Sequence, residues 1–288
     1  MNSAAGIRPD VLGRELEDRG FESMWLPEHS HIPVSRESAY PSGGELPEGY
    51  LHMMDPIVSL MAAASATSTL TVANGIALIL EHDLLSYACA TSTLAVLSGG
   101  RFVLGVGVGW NKEELANHRP DVAFDKRYGA LIERIEALRT MWRDDVATFA
   151  GRWDNVTPSW VYPKPPGGSI PIAMGNAGPL GMRLAARHAD VWCPIDTALP
   201  VSDGKPDVEG AITEFRSMVA DEGRDPFSVS ISLFSFSRPT DARMERYSSL
   251  GLERVVLSID SAGLSTHDNT LRHLDELAPI LATWRPVA

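Results

Sequence analysis

Residues 101–111 read Arg-Phe-Val-Leu-Gly-Val-Gly-Val-Gly-Trp-Asn. Phe102 to Val106 has the length and apolar, β-branched character of a strand buried on both faces, and Gly105, Gly107 and Gly109 mark where it runs out into a loop. Glycine has no Cβ, so the amides of Gly107, Val108 and Gly109 can come close to an anion. The polar run Asn111 to Glu114 reads as the start of a short helix with its first N–H groups free. That pattern describes a phosphate cradle, although glycines taken alone favour a simple chain-reversing turn. Two common motifs are excluded: Trp110 stands where a dinucleotide fingerprint needs its third glycine, and no Gly-Lys-Ser/Thr follows to make a P-loop.

Outward from this strand the chain alternates. Upstream, a helix over Asp10–Arg19 leads into a short strand, Glu22–Pro27, which ends at Glu28-His29-Ser30-His31. Residues 32–54 hold so many prolines and glycines that they read as one long loop. A helix over Pro56–Thr67, a strand over Leu70–Ile79 interrupted at Asn74-Gly75, and a helix over Leu84–Leu97 follow. Downstream comes a periodic helix, Tyr128–Trp142, with Glu133, Arg134, Glu136 and Arg139 on its expected wet side. Phe149–Pro166 reads as irregular. The rhythm then resumes with a strand Ile170–Met174 entering Gly175-Asn176-Ala177-Gly178, a helix Pro179–His188 and a strand Asp190–Cys193. A helix Val208–Glu222, a strand Val229–Phe236, a helix Asp241–Leu250, a strand Arg254–Ile259 and a helix Leu271–Trp284 complete it.

Strand and helix repeated this often imply a parallel sheet with helices outside, and 288 residues without an evident linker suit one (β/α)8 TIM barrel spanning 1–288. Only seven strands can be counted. Met1 to Ile7 is poor strand material, so the expectation is a first strand that is missing or truncated, with a gap between the strands near residues 22 and 254. The 44% apolar content allows a full core. A net charge of −12 argues against a nucleic-acid or anionic-membrane partner. Cys89 and Cys193 suit reduced thiols, and with no signal-like start and no apolar run of about 18 residues the expected location is cytoplasmic.

In a barrel of this kind the C-terminal rim of the strands carries the site. Glu28-His29, Asn74-Gly75-Ile76, residues 107–111, Gly175-Asn176-Ala177 and Cys193 all follow strands directly. His29-Ser30-His31 resembles half of a metal site, but the other histidines lie away from strand ends, so no metal is expected. Cys193 reads as a small buried thiol rather than a nucleophile. Trp153 and Trp160 either roof the pocket or pack the irregular segment.

The stretch Leu97–Asn111, with Trp-Leu-Pro-Glu-His29, Tyr-Pro-Lys-Pro165 and Met-Gly-Asn-Ala177, resembles the luciferase-like monooxygenase superfamily, most nearly its branch of coenzyme F420 oxidoreductases. The resemblance implies a (β/α)8 barrel, a homodimer, and hydride transfer between a deazaflavin and a small organic substrate; FMN is the alternative cofactor. A non-catalytic barrel that has lost its ring pocket is a third reading. By position, Glu28 and His29 lie beside the ring, with His29 the candidate proton donor and Glu28 either orienting the imidazole or contacting the ring's polar edge. Gly75 and Ile76 form the bulge behind the ring, with a cis peptide expected between them. Gly107, Val108, Gly109 and Asn111, together with Gly175, Asn176 and Ala177, hold the phosphate tail. The chain departs from the family pattern at Cys89 and Ala95, where lysine and aspartate are usual, and at Trp110, where the sugar-phosphate dehydrogenases carry an acid.

Overall fold

The computed structural model describes residues 2–258 and 266–284. The chain runs through α1 (Pro9–Asp18), β1 (Ser23–Leu26), α2 (Pro56–Ser65), β2 (Thr71–Asn74), α3 (Leu84–Leu97), β3 (Phe102–Val106), α4 (Lys112–His118) and α5 (Arg127–Arg143). A hairpin of β4 (Ala147–Ala150) and β5 (Asn155–Ser159) precedes β6 (Ile172–Met174), α6 (Pro179–His188) and β7 (Val191–Trp192). A second small hairpin, β8 (Val201–Ser202) and β9 (Lys205–Pro206), leads to α7 (Val208–Asp221), β10 (Ser230–Ser235), α8 (Asp241–Ser249), β11 (Arg254–Leu257) and α9 (His267–Leu277). The seven long-range strands form one parallel sheet in the order β1-β2-β3-β6-β7-β10-β11, a barrel closed except for one seam.

Alternation along each strand builds two layers of packing. Val72, Leu104 and Ile172 are fully buried in the layer shared with Leu60, Ile135, Leu138, Trp142 and Phe215 of the surrounding helices. The neighbouring residue on β3, Val103, turns inward to meet Trp25, Ile76, Ala173, Val191, Cys193 and Phe234. Trp25 and Phe234 meet edge to face across the interior with ring centroids 5.3 Å apart. Both faces of these strands are therefore dry, which is why they read as continuous apolar runs.

The seam lies where the missing strand was expected. Among the described residues β1 pairs only with β2 and β11 only with β10. Arg254 spans the opening: its Nε and one terminal nitrogen donate to the two oxygens of Glu22 at 2.6 and 2.7 Å, and its other terminal nitrogen donates to Ser232 Oγ at 3.2 Å. The N-terminal segment lies elsewhere. Ser3 bridges Met53, Met54 N–H donates to the Asn2 carbonyl at 2.9 Å, and Asn2 Nδ2 donates to Met54 O and Ser59 Oγ, so the segment clasps the entry to α2.

Several elements differ from their expected form. The strand expected over Leu70–Ile79 stops at Asn74; the Gly75–Ile76 peptide is cis, as expected, and the chain continues into a 3-10 turn over Ile79–Glu81. Phe149–Pro166 is not wholly irregular, because β4 and β5 pair within it, and the Glu133 carboxylate accepts the amides of Arg152, Trp153 and Asp154 at their turn. Arg134 is not on a wet face: it is 2% exposed and forks onto Asp154 at 2.7 and 2.8 Å. The last helix begins at His267, not Leu271, capped by the Thr266 side chain, and gives way to a 3-10 turn at Ala278. Ile259, the expected end of the last strand, and Met1 lie outside the described residues.

Candidate active site

The rim begins with two side chains just past β1. His29, its side chain 7% exposed, places Nδ1 2.6 Å from Glu114 Oε2 on α4, and its Nε2 receives the Trp110 indole N–H at 3.2 Å. An indole nitrogen can only donate, so Nε2 carries the lone pair and the imidazole proton sits on Nδ1, donated to Glu114. Glu28 is also buried but faces away from His29. Its Oε2 accepts the Leu78 amide at 2.7 Å and its Oε1 meets His82 Nε2 at 2.8 Å. His82 in turn stacks on Tyr87, with centroids 4.2 Å apart. Glu28 thus fastens the turn that follows the bulge, and the group that orients His29 is Glu114.

The glycines of residues 105–109 serve the bulge at close range. A Cβ on Gly105 would lie 2.0 Å from the Asn74 carbonyl oxygen, and one on Gly107 would lie 2.1 Å from Ile76 Cδ1. Ile76 also rests against Gly175, where a Cβ would stand 3.6 Å away. The two glycine turns therefore flank one isoleucine side chain. The Gly107 amide is spent on Ala77 O at 3.0 Å. The first N–H groups of α4, expected to be free, are capped: Asn111 Oδ1 accepts from Glu113 and Glu114 at 3.1 Å, and Ser38 Oγ takes Lys112 N–H. Gly109 has φ +70°, a value glycine reaches without strain, and Val108 packs on the core edge.

The second turn is different. Gly178 starts α6 with no side-chain cap, and Pro179 follows, so the first turn of this ten-residue helix keeps its backbone N–H groups and its positive dipole end for another acceptor. Asn176 lies beneath it. Its Nδ2 reaches Tyr128 OH at 3.3 Å, its carbonyl accepts Trp192 Nε1–H at 2.9 Å, and its buried Oδ1 is unpaired. Ala177 is half-buried against the core. At the end of β2, Asn74 is fully buried with neither amide atom partnered.

The loop over 32–54 supplies the roof. Ser38 ties it to α4 through the Glu113 carboxylate. Tyr40 and Tyr50 then surround His29 and Trp110, with Tyr50 5.4 Å and Trp110 5.6 Å from the His29 ring centroid and Tyr40 6.1 Å from Trp110. Trp153 packs beside Gly129 on α5 and Trp160 is 81% exposed, so neither roofs this space. Burial pushes the Cys193 thiol up, which leaves it a packing group.

Comparisons with known proteins give the family and the fold. The family model described as luciferase-like monooxygenase matches residues 11–280. The chain belongs to the luciferase-like monooxygenase family. A relative from Mycobacterium tuberculosis, uncharacterized protein Rv0953c, is 34% identical over 286 residues, covering 98% of this chain and 96% of its own. The F420-dependent hydroxymycolic acid dehydrogenase of the same organism is 26% identical over 211 residues, covering 73% of this chain and 53% of its own. Among solved structures, an F420-dependent secondary alcohol dehydrogenase with an F420-acetone adduct superposes with TM-score 0.73 over 99% of this chain and 97% of its own, at 16% identity. The monooxygenase RslO1 from Streptomyces bottropensis gives 0.71 over 96% and 92%, at 15% identity. At those identities the superpositions establish the TIM-barrel-like fold. Curated relatives named for F420 occur, and one solved structure of this fold holds a modified FMN.

Within this luciferase-like barrel, sequence reasoning placed Trp110 at the rim but missed its bond to His29, and it missed Glu114, Tyr40 and Tyr50. Glu114 carried a signal, since it stands three residues after the capping Asn111, but that spacing suggests a local cap, and the side chain reaches 85 residues back to His29 instead.

Proposed function

We propose that this protein is an F420-dependent oxidoreductase that moves a hydride between the deazaflavin and a small organic alcohol or carbonyl compound. The observation that carries this reading is Asn74: a fully buried amide with a free donor and a free acceptor at the barrel's C-terminal rim fits the polar edge of a planar ring. Ile76 and the glycines around it back that ring, and the uncapped start of α6 with Gly175, Asn176 and Ala177 holds its phosphate. When bound, the deazaflavin supplies two-electron hydride chemistry, which needs neither metal nor nucleophile from the protein.

The protein's own residues handle the proton. His29 Nε2 carries the lone pair that here accepts the Trp110 N–H; a substrate hydroxyl that displaces this indole bond gives its proton to Nε2 during oxidation, and Nε2 returns it to the carbonyl oxygen during reduction. Trp110, Tyr40 and Tyr50 exclude water above it. The likeness to relatives named as F420-dependent dehydrogenases favours F420 over FMN.

Fluorescence titration of the purified protein tests this. Saturable binding of F420 at micromolar concentration, tighter than FMN, is expected. Tighter FMN binding moves the protein to the flavin branch, and no binding of either to the folded protein favours the non-catalytic barrel. His29→Ala is expected to retain F420 affinity while slowing turnover about 100-fold or more, the usual effect of losing a positioned acid-base group.

A further inference from the structure

Two carboxyl groups behind His29 play no part in that reading. Glu81, in the turn over Ile79–Glu81, and Glu114 are 5% and 1% exposed at their side chains. Leu80 and Leu115, their neighbours in sequence, pack in one buried cluster, which sets the turn over 79–81 against α4, and Glu114 acts on Glu81 through its charge and a hydrogen bond. Glu114 Oε2 accepts the His29 Nδ1–H, yet Glu114 Oε1 and Glu81 Oε2 have no hydrogen-bond partner among the described residues. Two ionised carboxylates side by side in a dry site repel strongly, and a single proton held between them removes the repulsion and satisfies both free oxygens. On the outer side, His118 Nε2 is 3.9 Å from Glu81 Oε2 and its ring is 31% exposed. Ser30 Oγ joins His118 at 2.8 Å to His31 at 2.9 Å, near the surface.

We propose that Glu81 and Glu114 share one proton and, with His29 and His118, form a relay that carries protons between the substrate pocket and solvent. A proton accepted at His29 Nε2 makes an imidazolium beside Glu114. Its Nδ1 proton passes to Glu114 as the proton on Glu81 leaves to His118, so one proton enters, one leaves, and the carboxyl pair again holds one. Run backwards, the same hops deliver a proton for carbonyl reduction. Burial, with Glu114 and then Glu28 beside it, pushes Glu81 up to about 9, so the carboxyl pair keeps its proton at pH 7 until the His29 proton arrives, while burial and the neighbouring His31 lower His118, so a proton that reaches it passes on to solvent. The other charged groups facing the turn are His82, paired with Glu28, and Arg134, which donates to the Ile79 and His82 carbonyls and is neutralised by Asp154.

The existence of the shared proton is tested on the protein without cofactor, independently of the proposed function on which the relay's use rests. Infrared difference spectra are expected to show a protonated carboxyl band at pH 7 that disappears as pH rises through about 9. The band should be absent in Glu81→Gln, which keeps a donor toward Glu114 but cannot release a proton. His29 ring resonances should shift over the same pH range in the wild type and not in the variant. No such band at pH 7, or a band that survives in both Glu81→Gln and Glu114→Gln, overturns the proposal. In the F420-loaded protein Glu81→Gln should bind cofactor normally, slow hydride transfer about tenfold or more, and abolish the alkaline change in rate; a rate and pH profile equal to the wild type also overturns the relay. A protein that binds no cofactor while showing the band refutes the functional reading and leaves the shared proton standing.

Discussion

Glu81 shows how a single side chain sets both chemistry and stability. Its folded-state proton affinity is raised from the ordinary 4.5 to about 9 by burial and its acidic neighbours, so between those values the folded chain holds a proton that the unfolded chain has lost. Folding stability must therefore fall as pH rises through this window and be fully present only below it. Glu81→Gln removes the group, and its urea-unfolding stability at pH 8 is expected to exceed that of the wild type by at least about 1.4 kcal/mol, the equivalent of one pKa unit. The difference should vanish at pH 4. The glycines make a second residue-scale prediction. Gly105→Ala sets a Cβ against the Asn74 backbone carbonyl, which cannot turn aside, whereas Gly107→Ala meets only the tip of Ile76, which can rotate. Gly105→Ala should cost about 3 kcal/mol or more and Gly107→Ala about 1 kcal/mol, read as the shift in denaturation midpoint. The residues at 105 and 107 were legible as special because glycines gather where the apolar strand runs out into its loop; what they accommodate was not, since Ile76 approaches from another strand end.

At the scale of elements, Arg134 fastens three pieces of structure. From α5 it forks onto Asp154 in the β4–β5 hairpin and donates to the carbonyls of Ile79 and His82 on either side of Glu81. Replacing it leaves the Asp154 carboxylate, 6% exposed, with much of its compensation gone, and only Arg119 nearby at 3.5 Å. Arg134→Met should destabilise the protein by about 3–5 kcal/mol, measured by thermal or chemical unfolding, because the remaining buried charge is costly. Arg134→Met with Asp154→Leu should recover much of that loss, as replacing a whole buried pair often does. The helix itself was legible from its apolar period, and α3 and α6 were placed to the residue, since each is bounded by a local cap or proline. The burial of Arg134 was not legible. A charged residue on a helix looks solvated until a distant carboxylate is folded against it, and here that carboxylate belongs to a hairpin whose strands have only four and five residues.

Over the whole molecule, side chains close the barrel where, among the described residues, the first and last strands do not pair. Arg254 joins the last strand to Glu22 at the foot of the first and also lies 5.8 Å from the Trp25 ring centroid. Burial works to raise Glu22, but the hydrogen bonds and charge of Arg254 outweigh it and hold the carboxyl below its usual range. A depressed carboxylate stabilises above its unfolded value and loses that contribution as pH falls through the folded one. Because the Glu22 side chain is 57% exposed, solvent screens the pair, and Arg254→Ala should cost about 1 kcal/mol at pH 7. The gap between variant and wild-type melting curves should close as the pH is taken well below 4.5, the ordinary value for glutamate.

The sequence by itself determined the barrel, the order of its strands, the seam between the first and last of them, and the loops that form the rim, because apolar periodicity, caps and glycines are local signals that each strand–helix unit carries alone. It also placed Glu28 and His29 at that rim and the cis bond at Gly75–Ile76. Only the tertiary structure decided which carboxylate serves which imidazole. Glu28 turned to Leu78 and His82, Glu114 came to His29, and Glu81 was buried beside Glu114, since hydrogen-bond pairing across separate rim loops depends on where the closed sheet brings them and leaves no trace in residue spacing.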